Sequence, residues 1–301
     1  MILVTGGTGF IGRHLVKSLV DSGQDVRILL KPSAKSPKFP IGVSVEVAIS
    51  SLNDIQGMKA ALKGIHEVYH LAGAERKGTS ADLNKVDVEG TISLVNAAKQ
   101  SKLERIYFLS HFGANRASAY PVLKAKGLAE NWIINCGIPY TIVRSAVVFG
   151  PGDQFTEPIA RLMRKFTPFF LIPGNGDSLL QPLWIDDLIQ SLSLVRSESA
   201  LINKTISVGG MEALSYRKIV DLIRGRLTIN RKIISISPAY LRAFSLWVNQ
   251  LYPKFPISIF WLDYLADDRT TNIDSLPRQF GIMPNRFHQN LDYLNEINLE
   301  R

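Results

Sequence analysis

The chain of 301 residues is poor in cysteine: Cys136 stands alone. A single thiol excludes an intrachain disulfide and a cysteine metal cluster, and it fits a reducing compartment. Its place between Ile134 and Ile138 reads as a small buried hydrophobe rather than a nucleophile. No run of about eighteen apolar residues occurs, so no spanning helix is expected. No basic stretch leading into an apolar one precedes the first strand, so no secretory leader is expected and the cytoplasm is the expected location. Internal repeats and low-complexity segments are lacking, and no metal site is expected. Acidic residues are in deficit, 26 Asp and Glu against 35 Lys and Arg, for a net charge of +9. That balance suits an anionic cofactor, an acidic membrane surface or an acidic partner. No nucleic-acid recognition motif accompanies the charge, so nucleic acid is not expected as a partner.

What is present begins at residue 1. Ile2 to Thr5 reads as a buried strand, Gly6, Gly9 and Gly12 follow at a spacing of three, and Phe10, Ile11, Leu15, Val16, Leu19 and Val20 recur at helical period. Strand, glycine turn and helix in that order form a dinucleotide-binding pattern. Gly6 permits the tight turn, Gly9 lets the backbone approach a diphosphate, and Gly12 lets the helix lie close to the strand. The helix N-terminus offers unpaired N–H groups and partial positive charge to the phosphates. Gly6, Thr8, Gly9, Phe10, Ile11 and Gly12 are therefore the expected cofactor contacts of this turn.

Further strands are expected at Val26–Leu30, Val43–Ile49, Glu67–Leu71, Arg105–Leu109 and Tyr140–Arg144. Helices are expected from Asn53 to Leu62, from Val86 to Lys99 and from Ala119 to Asn135. The alternation implies an α/β fold with a doubly wound parallel sheet, in which ligands bind beyond the strand C-termini. At the end of the second strand an acidic residue would select NAD and a basic one NADP. Lys31 stands there, followed by Lys35 and Lys38, with no carboxylate between Val26 and Val45. NADP(H) is therefore favoured over NAD(H). Leu71, Ala72 and Gly73 end the fourth strand, where small residues let the strand lie against a cofactor. His70 reads as a packing or backbone-positioning residue, and His111 as a capping or packing one.

Tyr120 and Lys124 are spaced i, i+4, which places them on one helix face. An ammonium beside a phenol favours the phenolate, making a tyrosine usable as acid or base near neutral pH. Pro121 suits the first helical turn. Ser110 ends the preceding strand.

In combination these stretches resemble the short-chain dehydrogenase/reductases of the extended or atypical branch, related to the NAD-dependent epimerases and dehydratases. The residues that carry the resemblance are Thr5–Gly12, His70-Leu-Ala-Gly73, Val88-Glu-Gly-Thr91, Ser110, Tyr120-Pro-Val-Leu-Lys124, Arg144 and Phe149-Gly-Pro-Gly-Asp153, with Leu171–Gly176 and Gln181–Asp187 later. Tyr140–Arg144, Arg161-Leu-Met-Arg164 and Gln279–Pro284 are similar to relatives of the nucleotide-binding accessory subunit of respiratory complex I. The resemblance implies a Rossmann fold and hydride transfer at a hydroxyl or carbonyl carbon. Tyr120 would be acid or base, Lys124 would lower its pKa and hold the nicotinamide ribose, and Ser110 would orient the substrate oxygen, with Ser118 as runner-up. Two departures stand out: Ser50-Ser51 where an adenine-contacting acid is common, and Asp87 where asparagine is common.

The expected division is a cofactor domain of residues 1–150 plus 184–210, and a smaller, mostly helical substrate lobe of 151–183 plus 211–301. Arg161 and Arg164 hint at a phosphate or carboxylate on the substrate. The stretch 238–265 is rich in aromatic and aliphatic residues and is interrupted by Pro253 and Pro256. It reads as two amphipathic helices, forming either a wall over an apolar pocket or a docking face for a membrane or protein. The expected partner is a small-molecule substrate, and the chain is a monomer or a homodimer. A cofactor-binding scaffold that docks on a membrane complex without turnover is the alternative function.

Overall fold

The computed structural model describes residues 1–33, 42–165, 169–251 and 259–297. Lys35 and Lys38, and Pro253 and Pro256, lie outside the described residues. The chain divides into two compact units: residues 1–75, 82–145 and 188–207 form unit 1, and residues 76–81, 146–187 and 208–301 form unit 2.

Unit 1 is built on a seven-stranded parallel sheet with flanking helices, a Rossmann-like arrangement. Strands β1 (Ile2–Thr5), β2 (Val26–Leu30), β3 (Glu46–Ile49), β4 (Glu67–His70), β5 (Arg105–His111) and β6 (Tyr140–Ser145) are joined by a seventh, Lys204–Val208, in the order Lys204–Val208, β6, β5, β4, β1, β2, β3. All four residues of β1 are buried, as expected of a parallel strand covered on both faces. Ile2 lies opposite Val26 on one side and Glu67 on the other. The strand order therefore reverses between β1 and β4, and ligands of such sheets bind at that switch point.

The helices of unit 1 follow the apolar periodicity. Helix α1 (Phe10–Asp21) buries Leu15, Val16 and Leu19. Helix α2 (Ile55–Ala61) is capped by Asp54, whose carboxylate accepts from the Gln56 and Gly57 N–H groups at 3.1 Å each. The segment expected as one helix from Val86 begins instead as a π-helical turn, Asn84–Glu89, before α3 (Gly90–Ala98). Such turns displace side chains from the α-helical phase and recur at functional sites. Helix α4 (Pro121–Ile134) starts at Pro121, two residues after the expected Ala119. Leu3, Val68, Leu94, Ile106, Ile133 and Ile142 lie in the core beneath.

Helices α5 (Thr156–Lys165), α6 (Ile185–Leu194) and α7 (Tyr216–Arg226) follow in chain order, and unit 2 packs α5 and α7 around Phe149, Met163, Ile172, Ile219, Ile223 and Phe287. Buried Asp153 caps α5, accepting from the N–H groups of Phe155, Thr156 and Glu157 at 2.8–3.0 Å. Ser215 caps α7, accepting from Lys218 N–H. A parallel strand pair, Phe169–Pro173 with Lys232–Ile236, leads into α8 (Pro238–Leu251) and α9 (Ile259–Tyr264).

Candidate functional site

The glycine turn is built at the limit of close approach. Gly6 has φ +74°, and a Cβ there would sit 2.8 Å from the backbone of Leu71 and Ala72. A Cβ on Gly12 would lie 2.2 Å from the Gly6 carbonyl oxygen, so α1 meets its strand only because residue 12 has no side chain. Gly9 differs. Its hypothetical Cβ would meet only the Gly6 oxygen, at 3.2 Å, and its N–H donates to that oxygen at 2.9 Å. Gly9 is the N-cap of α1, no side chain caps the helix, and its first turn has no acid. The opening N–H groups of α1 therefore face outward without a protein anion, which is the donor set a diphosphate requires.

Beside the turn, β1 and β4 are tied by a buried polar chain. The Thr91 hydroxyl donates to the Asp87 carbonyl at 2.6 Å, so its oxygen is left to accept from His70 Nε2–H at 3.0 Å. His70 Nδ1 then accepts from the Thr5 hydroxyl at 2.7 Å. Burial, helped by the nearby Lys126 charge, pushes the His70 pKa from 6.5 down to about 3. His70 is thus a neutral structural link that fixes the strand ends.

At the end of β4, Asp87 and Lys126 form an ion pair at 3.0 Å with side chains 2% and 5% exposed. Asp87 also accepts from Ala74 N–H at 3.0 Å. The pair lies against Gly73: a Cβ there would be 3.1 Å from Asp87 Oδ1 and 3.2 Å from Lys126 Nζ. Burial works against the Lys126 charge, but Asp87, Glu75 and Glu130 outweigh it and hold the pKa above the ordinary lysine value. Next to them, Glu75 accepts from His111 Nε2 at 2.6 Å. Desolvation opposes the Glu75 charge, yet His111 and Lys126 bring the carboxyl down to about 2. Glu130 pairs in turn with Arg144 through two bonds of 2.9 and 2.6 Å. The Ser110 hydroxyl, on a residue 1% exposed, has no hydrogen-bond partner among the described residues. A buried hydroxyl without a partner is costly, and a bound polar ligand would satisfy it.

The structure does not assemble the tyrosine–lysine pair as a helix face. Tyr120 is the N-cap of α4, in extended conformation (φ −88°, ψ 122°), so it stands outside the helix whose period was used to pair it. Lys124 is exposed. Neither the Tyr120 hydroxyl nor the Lys124 ammonium makes a hydrogen bond or ion pair with another described residue. The buried lysine is Lys126, and one turn before it on the same face stands Val122, half-buried. The phase of the helix decides this: Lys126, Ala129, Glu130 and Ile133 share its buried side. The stretch Lys126-Gly-Leu-Ala-Glu130, an i, i+4 opposite-charge pair in register with Ala129 and Ile133, carried that signal in the sequence. Ser118 is used locally, its oxygen accepting from Tyr120 N–H at 3.1 Å. His111, expected to cap or pack, is instead the partner of Glu75. The two arginines that hinted at a substrate anion have partners within the chain. Arg161 pairs with Glu157 at 2.6 Å, and Arg164 donates to the carbonyls of Ile297 and Asn295. Lys31 is exposed at the end of β2.

Comparison with known proteins follows the same lines. Residues 6–154 match the model of a family described as NAD(P)H-binding. Among curated proteins, the chain is 25% identical over 227 residues to NADH dehydrogenase [ubiquinone] 1 alpha subcomplex subunit 9, mitochondrial, of Arabidopsis thaliana; the match covers 73% of this chain but only 56% of the plant protein. It is 23% identical over 325 residues to the sterol-4-alpha-carboxylate 3-dehydrogenase, decarboxylating, of Dictyostelium discoideum, covering 99% of this chain and 97% of that protein. The fold is shared with the Y149F mutant of a Bacillus cereus UDP-glucuronic acid 4-epimerase solved with NAD, at a TM-score of 0.76, 19% identity and 98% coverage of both chains.

Proposed function

We propose, from the match of residues 6–154 to a family described as NAD(P)H-binding, that the chain is an NADP(H)-dependent oxidoreductase acting at a hydroxyl or carbonyl carbon, or an epimerase or dehydratase that passes through such a step. The observation that carries the reading is the buried Lys126–Asp87 pair against Gly73, beside the glycine turn. A buried ion pair rarely repays its desolvation, so stability alone is a weak reason for one at a ligand-binding edge.

The dinucleotide supplies a hydride donor or acceptor when bound. Gly6–Gly12 and the first N–H groups of α1 hold its diphosphate. Lys31 suits a ribose 2′-phosphate, which favours NADP(H) over NAD(H). Lys126, oriented by Asp87, takes the ribose-holding part first assigned to Lys124. The unpartnered Ser110 hydroxyl donates to the substrate oxygen, and Tyr120, half-buried at the mouth of α4, is the proton donor or acceptor. Native mass spectrometry of the protein loaded with NADPH tests the binding. A panel of UDP-sugars and 3-hydroxysterols, followed by nicotinamide absorbance, tests the chemistry. Turnover that is lost in Tyr120→Phe with the dinucleotide still retained supports the reading; turnover unchanged in Tyr120→Phe removes the tyrosine from it.

The second reading is a scaffold or assembly protein that holds the dinucleotide without turnover. It is favoured by Val122, an aliphatic residue one turn before Lys126 where an acid–base partner would stand. It is also in keeping with the complex subunit among the relatives. Retained NADPH with no absorbance change across the panel selects it.

A further inference from the structure

With the diphosphate on the glycine turn and the ribose 2′-phosphate at Lys31 beyond β2, the nicotinamide half extends to the other side of β1. The sheet runs β5, β4, β1, β2, so that half lies over the ends of β4 and β5. The charges at those strand ends do not balance. Asp87, Glu75 and Glu130 are carboxylates, whereas Lys126 and Arg144 are the permanent cations; all three carboxylates act on Lys126, and Arg144 is bound to Glu130. The sixth member is His111, whose Nε2 lies 2.6 Å from Glu75 Oε2. One carboxylate is therefore uncompensated whenever His111 is neutral.

That carboxylate is Glu75. Asp87 has Lys126 at 3.0 Å, and Glu130 holds Arg144 through two bonds. Glu75 has only the imidazole in direct contact among the described residues. It is also the accessible one, with its side chain 41% exposed against 2% for Asp87 and 5% for Glu130. Its Oε1 and the Nδ1 of His111 have no partner among the described residues. Around His111, Ser145 stands opposite in register on β6 and carries no charge, and neither Tyr120 nor Lys124 makes an ion pair. Gly73, two residues before Glu75 and exposed, leaves this edge open to a ligand.

We propose, resting on the dinucleotide placement read above, that Glu75 and His111 sense the oxidation state of the bound dinucleotide: the oxidised, cationic ring and a proton on His111 compete for one carboxylate. The reduced ring is neutral and leaves Glu75 to the imidazole. Imidazole ordinarily changes charge between pH 5 and 8, which puts the competition near neutral pH. Linkage makes the effect reciprocal, so a ring that displaces the proton is itself weakened by acid.

The test is calorimetric titration of NADP+ and of NADPH into the full chain at pH 8 and pH 6, with buffers of different ionisation enthalpy at pH 6.5 to count protons. At pH 8 the parent should bind NADP+ at least about fivefold tighter than NADPH. The ratio should shrink at pH 6, and NADP+ binding should release protons where NADPH binding does not. Glu75→Gln should remove both the preference and the release. His111→Gln should keep the preference at pH 6 and release nothing. Both side chains are partly exposed, so both variants should unfold cooperatively; if Glu75→Gln does not, His111→Gln decides. Equal affinities in the parent at pH 8, a preference that survives in Glu75→Gln, or release unaltered in His111→Gln overturns the proposal. Binding of neither dinucleotide defeats the functional reading as well, whereas binding without preference defeats the proposal alone.

Discussion

The strand-end site of unit 1 and helix α8 of unit 2 break the same rule in opposite directions. At the strand ends, charge is buried: Lys126 and Asp87 face each other with almost no access to water. On α8, aromatic surface is exposed: Tyr240 and Trp247 keep most of their area in solvent. Neither arrangement is what folding free energy favours. Buried charge forfeits hydration that its partner seldom restores, and exposed aromatic area forfeits burial of about 25 cal/mol per Å². The difference lies in rigidity. The buried site is over-determined by Gly6, Gly12 and the Thr5–His70–Thr91 chain, whereas Tyr240 and Trp247 leave most of their surface outside the packed interior of unit 2. The two regions should respond to substitution very differently.

The largest effect is expected at the glycine turn. Gly12→Val drives side-chain carbon into the Gly6 carbonyl, and no flexible neighbour can yield. A loss of about 4 kcal/mol or more is expected, seen as loss of cooperative thermal unfolding. Asp87→Ala should follow at about 3–5 kcal/mol, because Lys126 is left buried and unpaired. The same truncation at exposed Lys124 should change the unfolding free energy from denaturant titration by less than about 0.5 kcal/mol. If Lys124→Ala proved the more damaging of the two, the assignment of the buried lysine would be wrong.

Acid should find the buried histidine next. The folded-state pKa of His70 is depressed from 6.5 to about 3, so the unfolded chain binds the proton first as pH falls. Stability is fully present above pH 6.5 and is lost progressively towards pH 3, by up to roughly 4 kcal/mol. Urea unfolding between pH 6.5 and 5, before the carboxylates titrate, isolates this slope, and His70→Gln should flatten it. Ser110→Ala is the one truncation at the buried site expected not to destabilise. Removing a buried hydroxyl that lacks a partner should be neutral or stabilising by up to about 1 kcal/mol, while ligand binding weakens. A clear loss of stability in Ser110→Ala would mean that the hydroxyl is structurally engaged.

The sheet and the glycine turn were legible because their signals are local. A buried four-residue strand, glycines three apart and an apolar helical stripe are all read within one segment, and the structure realises them as β1 and α1. The buried lysine was not legible because i, i+4 spacing does not say which helix face turns inward. Tyr120 is the extended cap before Pro121, and Lys126 rather than Lys124 lies on the buried side of α4. Asp87 was visible only as a departure from an expected asparagine, and the π-helical turn that carries it has no local mark in the sequence. Glu75 and His111, 36 residues apart, meet only through the parallel pairing of β4 and β5. The aromatic stretch was legible as amphipathic helices, but which side of α8 would face outward was not, because Leu241 and Tyr240 are equally plausible core residues by composition.

The account rests on a dinucleotide held by the glycine turn, and Gly9 separates binding from folding because only the Gly6 oxygen lies near its missing Cβ. Calorimetric titration of NADPH and NADH into the parent protein and into Gly9→Val is the most direct measurement. The predicted result is saturable binding to the parent, tighter for NADPH, that disappears in Gly9→Val while thermal unfolding stays cooperative. Absence of binding heat with either dinucleotide, or unaltered binding in Gly9→Val, would contradict it.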